Sequence, residues 1–129
     1  MEDERELLKG NTPTLVLAVL QDAPLHGYRI AREIERRSGN ALQCKEGTLY
    51  PALHALEREG LVASEWRKED RERERKVYSI TPAGLAALEQ RKRRWNTFAS
   101  AIERVIGGPT DVGTQQASAR NGLDPSPAA

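Results

Sequence analysis

Cys44, His26 and His54 are the residues with the intrinsic reactivity for nucleophilic or metal chemistry, and their placement supports neither. A structural metal site needs three or four converging ligands, usually paired at short spacing, and both histidines stand isolated from any cysteine, histidine or carboxylate at such a spacing. No metal and no cofactor are therefore implied. The single cysteine excludes an intrachain disulfide. Cys44 precedes a predicted helix, where the amide dipoles would slightly lower its pKa; an inert thiol and a redox switch both fit. His26 stands at the start of another predicted helix, suited to capping or hydrogen bonding there. There is no nucleophile–base–orienter set and no glycine-rich phosphate loop, so the sequence contains no catalytic constellation.

Two polar clusters remain as candidates for contact with a polyanion, the second weak as electrostatics. Lys45, Thr48, Tyr50, Pro51 and His54 lie at or near the start of a predicted helix, off the face marked by Leu49, Leu53 and Leu56. Helix N-terminal amides also favour phosphate. The structural alternatives are that Thr48 caps the helix and Tyr50 packs beside the core. Tyr28, one helix earlier, suits either donation to a phosphate or a packing role between helices. The second cluster sets Arg67, Lys68, Arg71, Arg73, Arg75 and Lys76 against Glu69, Asp70, Glu72 and Glu74, a net charge of +2. Alternating signs commonly mark a solvated face; position makes Arg73 and Arg75 the candidates for phosphate.

Overall charge is uninformative, because 20 basic and 19 acidic residues leave the 129-residue chain at +1; only placement can indicate a nucleic-acid partner. The hydrophobic share of 38% is low for a chain that packs throughout. No apolar run approaches the roughly 20 residues of a membrane span. The acidic N-terminus lacks the basic-then-apolar order of a signal peptide, so a cytoplasmic location is expected.

Positioning these clusters requires a particular set of elements. Residues 1–11 read as a polar arm, and Thr12-Pro13 as a helix start, with a capping hydroxyl and proline in the first turn. Leu15, Val16, Leu17, Val19 and Leu20 then form an apolar helix buried on more than one side. A second helix opens at His26-Gly27-Tyr28, buries Ile30, Ala31 and Ile34, and closes at Ser38-Gly39-Asn40. A third spans 47–59 and stops at Gly60. Residues 61–66 and 76–80 read as two strands joined by the charged cluster. Thr81-Pro82 starts a last helix over 83–106, about 36 Å long at ~1.5 Å per residue. Its stripe of Leu88, Trp95, Phe98, Ile102 and Val105 is too long for a small core and reads as a seam for a second chain. Residues 107–129 carry few large aliphatics and read as a disordered tail.

The fold class expected is mainly α with a two-stranded β-hairpin: a winged helix-turn-helix over 12–82 plus a C-terminal dimerisation helix. The third helix would face the DNA major groove and the hairpin would be the wing.

Three stretches carry a family resemblance: His26-Gly27-Tyr28-Arg29-Ile30, Gly47-Thr48-Leu49-Tyr50-Pro51-Ala52-Leu53, and Leu56-Glu57-Arg58-Glu59-Gly60-Leu61-Val62. With Tyr78-Ser79-Ile80-Thr81-Pro82-Ala83-Gly84, they resemble the PadR family of bacterial transcriptional regulators, in order over residues 12–106. The single helix after the wing is similar to the smaller members, which dimerise through it. The resemblance implies a homodimeric repressor on a palindromic double-stranded operator. It also implies a use for Trp95, since some members that sense drugs place a tryptophan at this point. Two such rings across a twofold axis, with Arg91 and Phe98 beside them, would form a slot for a flat aromatic effector; plain packing within the seam is the alternative. A winged-helix module used only for protein contacts is the rival reading of the whole chain.

Overall fold

A computed structural model describes residues 2–68 and 73–107. The wing tip at 69–72, which includes Arg71, and the expected disordered tail from residue 108 lie outside the described residues. The chain divides into two compact units with the boundary after Arg91, inside the last helix.

Helix α1 spans Glu2–Leu20, so residues 2–11 are helical and not an arm, and Thr12-Pro13 is not the helix start. The physical reason is composition: the segment before Asn11 is rich in Glu, Arg and Leu, good helix formers that carry the helix through Pro13, although its ring removes an amide donor and crowds the carbonyl four residues back. Thr12 is fully buried, unlike an exposed cap, and Val16, Leu17, Val19 and Leu20 extend that buried surface.

Strand β1 (Leu25–His26) leads directly into α2 (Gly27–Arg37), which buries Ile30, Ile34 and Glu35. The helix closes as a Schellman motif: the Asn40 amide donates to the Glu35 carbonyl and the Gly39 amide to the Arg36 carbonyl. Gly39 and Asn40 both hold positive φ, 64° and 66°, which these two residue types tolerate. Helix α3 (Glu46–Arg58) buries Leu49, Leu53 and Leu56 and ends in the same motif, with Gly60 at φ 78° and the Leu61 amide on the Leu56 carbonyl.

The hairpin of β2 (Val62–Lys68) and β3 (Glu74–Ile80) pairs from Val62↔Ile80 to Lys68↔Glu74. Both strands run further into the charged segment than hydrophobic alternation suggests, because ladder hydrogen bonds do not require apolar side chains. β1 adds to β3 through Leu25↔Tyr78 and His26↔Val77, so the sheet has three strands in the order β1-β3-β2 rather than two. Central position explains why the adjacent Val77 and Tyr78, which face opposite ways, are both buried.

Helix α4 (Pro82–Ile106) starts where expected: Thr81 Oγ1 accepts the Gly84 amide at 3.0 Å and donates to the Gly60 carbonyl at 2.7 Å. Gly84 is required here, because a Cβ would collide with the Leu61 carbonyl oxygen. Leu88 is 0% exposed within the core of its own chain, alongside Leu17, Leu49 and Leu53. It therefore anchors α4 and is unavailable to a seam between chains. In the second unit, Trp95, Phe98, Ile102 and Val105 are exposed, and the Trp95 and Phe98 ring centroids lie 6.2 Å apart. No helix among the described residues is long and apolar enough to cross a membrane.

Candidate nucleic-acid interface

The link between α2 and α3 sets the direction of α3, and a carboxylate holds it. Glu35 is buried near the end of α2; its Oε2 accepts the Cys44 amide at 3.2 Å, and its Oε1 pairs with Arg32. Ser38 Oγ donates to the Glu35 carbonyl and accepts the Leu42 amide, closing the same turn. Hydrophobic periodicity cannot reveal Glu35, since a charged residue in a helix reads as surface. Cys44 is buried against the core, and burial raises its thiol pKa rather than lowering it, contrary to the sequence expectation. Burial and the upward shift favour the inert thiol over the redox switch.

Helix α3 begins after Lys45, whose backbone is extended and whose side chain makes no cap. Lys45, Pro51 and His54 are exposed, and Thr48 and Tyr50 half-buried. The Tyr50 ring lies across Gly27: a Cβ there would sit 2.8 Å from Tyr50 Cζ and closer still to its hydroxyl. The glycine of His26-Gly27-Tyr28 thus exists to admit a ring from α3. Both uses weighed for Tyr50 are compatible with this position, since part of the ring packs on the core and part stays open. Tyr28 is 61% exposed with the Arg32 guanidinium 5.6 Å from its ring centroid, and so is no interhelical packing ring.

Between the start of α2, α3 and the wing lies an open concavity of about 610 Å³. Tyr28, Tyr50, His54, Arg73 and Arg75 all line it, so one surface gathers residues from three elements that sequence reasoning singled out separately. Lys45, Thr48 and Pro51 are not among its lining residues. Lys76 and the acidic Glu74 of the charged cluster line it too, as do His26 and Trp66, which the sequence does not mark for this surface. The missed signal for His26 was β1, too short for any periodicity to mark. His26 Nε2 stands 2.9 Å from Arg75 Nη1. A guanidinium only donates, so in this contact Nε2 is the acceptor.

The wing is tied to α3 through Glu57, which accepts from Ser64 Oγ at 2.6 Å and lies 4.0 Å from Lys76 Nζ. Burial, with a smaller contribution from the Glu57 charge, pushes the Tyr78 hydroxyl pKa upward. Several cations have carboxylate partners. Arg36 and Arg37 share Glu33, whose pKa their hydrogen bonds lower from 4.5 to about 2, and Arg37 also reaches Asp22 at 2.7 Å. Arg67 pairs with Glu65. In the first unit, Arg91 turns toward α1, with Nη1 3.5 Å from Thr14 Oγ1. No group of three His, Cys, Asp or Glu among the described residues could hold a metal.

Two helices joined by an eight-residue link, the second sharing with a β-hairpin a concavity lined by aromatic rings, several cations and Glu74, define the winged helix-turn-helix class. Residues 16–90 match the transcriptional regulator PadR-like family, and the chain belongs to that family. It is 38% identical over 104 residues to the transcriptional regulator Rv3488 of Mycobacterium tuberculosis, covering 81% of this chain and 91% of that protein. Among solved structures it is similar to a transcriptional regulator from Clostridium thermocellum (TM-score 0.71, 28% identity, covering 77% of this chain and 96% of that one). It is likewise similar to a PadR family transcription regulator from Clostridium difficile (TM-score 0.65, 27% identity, 74% and 98% covered). The protein is thus a transcriptional regulator of the DNA-binding, winged-helix kind.

Proposed function

We propose that the protein is a repressor that binds a palindromic operator as a homodimer. In this reading α3 enters the major groove, with Lys45, Thr48, Tyr50, Pro51 and His54 toward the bases or their flanking phosphates. Tyr28, Arg73 and Arg75 take the sugar–phosphate strand beside it. The observation that carries this reading is the shared concavity: one open face collects rings and cations from α2, α3 and the wing, as a duplex edge requires. Dimerisation would use Trp95, Phe98, Ile102 and Val105, an apolar stripe exposed in the single chain. Two copies would then place their reading helices ~34 Å apart or a multiple of it.

The test is duplex binding by the full chain across a salt series. Phosphate contacts release counterions, so log K should fall linearly with log salt. A duplex selected from a random library should prove palindromic. No binding to any duplex would leave the protein-contact module as the function.

An effector site at Trp95 is the finer part of the proposal. The exposed, neighbouring Trp95 and Phe98 rings favour it. A flat aromatic ligand would act only if it prefers one spacing of the reading helices over another. Titration with planar aromatic acids should quench tryptophan emission and release operator, and Trp95→Ala should abolish both. Persistence of both effects in that variant would place the ligand elsewhere.

A further inference from the structure

Trp66 is 64% exposed on a strand otherwise flanked by Glu65, Arg67 and Lys68, and an apolar body that large among charges asks for a partner. Its direction is fixed by register. Trp66 pairs with Lys76, and one step along the same face Ser64 pairs with Tyr78. Ser64 hydrogen-bonds Glu57 of α3 at 2.6 Å, so this face looks toward α3 and not away from it. Trp66 accordingly lines the concavity with Tyr50 and His54 of α3 opposite and its cross-strand partner Lys76 beside it; Arg75, paired with Arg67, starts from the alternate face of the hairpin and also lines the concavity.

On the reading of this face as a duplex interface, we propose that Trp66 is a DNA-backbone contact whose indole packs against deoxyribose. With α3 in the major groove, the strand bordering that groove must pass between α3 and the wing, through the concavity. Its phosphates meet Arg75 and Lys76. The apolar surface between successive phosphates is the sugar, and an indole supplies area without hydrogen-bond demands across its face. Such a contact adds affinity independent of base sequence and of salt, which separates it from the arginine contacts in the same concavity.

The experiment compares the wild type, Trp66→Ala, Trp66→Phe and Arg75→Gln on the duplex selected by the wild type, across a salt series. Burying about 60 Å² of indole corresponds to about a tenfold affinity change. Trp66→Ala should therefore bind about tenfold more weakly at every salt with an unchanged slope, and Trp66→Phe should recover most of the loss. Arg75→Gln should instead reduce the slope by about one. Wild type labelled with 5-fluorotryptophan gives a readout that needs no destabilised variant: the ¹⁹F resonance missing in Trp66→Phe should shift on adding duplex. An unmoved resonance, or undiminished affinity in a folded Trp66→Ala while Arg75→Gln weakens binding, overturns the Trp66 assignment and leaves the interface standing. A slope change in Trp66→Ala also overturns it, because the residue would then act through its charged neighbours. Failure of the wild type to bind any duplex removes the interface reading itself.

Discussion

Gly27→Ala probes how α2 and α3 are fitted together. The new methyl would lie 2.8 Å from Tyr50 Cζ and 3.0 Å from Cε1, both far inside ordinary contact, so the ring must swing away. Overpacking of this kind costs about 1–3 kcal/mol. Replacing glycine in a helix returns at most about 1 kcal/mol, and less at a first-turn position such as this one. The variant should therefore lose about 1–2 kcal/mol in urea unfolding, measured at fixed protein concentration. Tyr50→Ala removes the obstacle. In the double variant the methyl enters space the ring has vacated, so the two losses should fall short of additivity by about 1–2 kcal/mol. Operator affinity should fall in Gly27→Ala as well, since the displaced ring lines the concavity. Additivity within about 0.5 kcal/mol would show that the two residues do not meet, and the account of the α2–α3 fit would be wrong.

Glu35→Ala leaves the Cys44 amide without its acceptor in a buried turn and should cost about 1–3 kcal/mol, whereas Glu35→Gln, which keeps an acceptor oxygen, should lose less; equal losses would count against the hydrogen bond. Ile102→Glu combined with Val105→Glu should give a folded monomer by sedimentation equilibrium, and a persistent dimer would move the seam off α4. Glu33 should titrate at about pH 2 rather than 4.5 in carboxyl NMR. Because its folded value is depressed, its pairing with Arg36 and Arg37 supports α2 fully above about pH 4.5 and is lost as pH falls through about 2. A midpoint near 4.5 would mean the arginines do not hold it. Cys44 should react with thiol reagents at the rate of global unfolding, and fast labelling of native protein would contradict its burial.

Local chemistry determined much of this protein from sequence alone. Gly39 and Gly60 end their helices because a left-handed residue is needed where the last carbonyls are satisfied, and glycine signals that need without any tertiary partner. The Leu49–Leu53–Leu56 spacing, the Thr81 cap and the two long strands are legible for the same reason: each is a periodic or short-range rule. Residues such as Tyr28, Tyr50 and Arg75 could be nominated because their types suit phosphate and base edges. Only the tertiary structure decided the rest. Residues 2–11 are helical because helix formers outweigh one proline, a balance that the cap-like Thr12-Pro13 pair obscured by resembling a helix start. Leu88 belongs to the core and Trp95 to an exposed stripe although both fall on one heptad pattern, since periodicity gives a face but not the depth of what lies beneath it. The two-residue β1, the buried Glu35 and the placement of Trp66 in the concavity all depend on partners distant in sequence, Tyr78, Cys44 and α3. Sequence patterns record a residue's own neighbours along the chain; which surfaces meet is settled only when the elements pack.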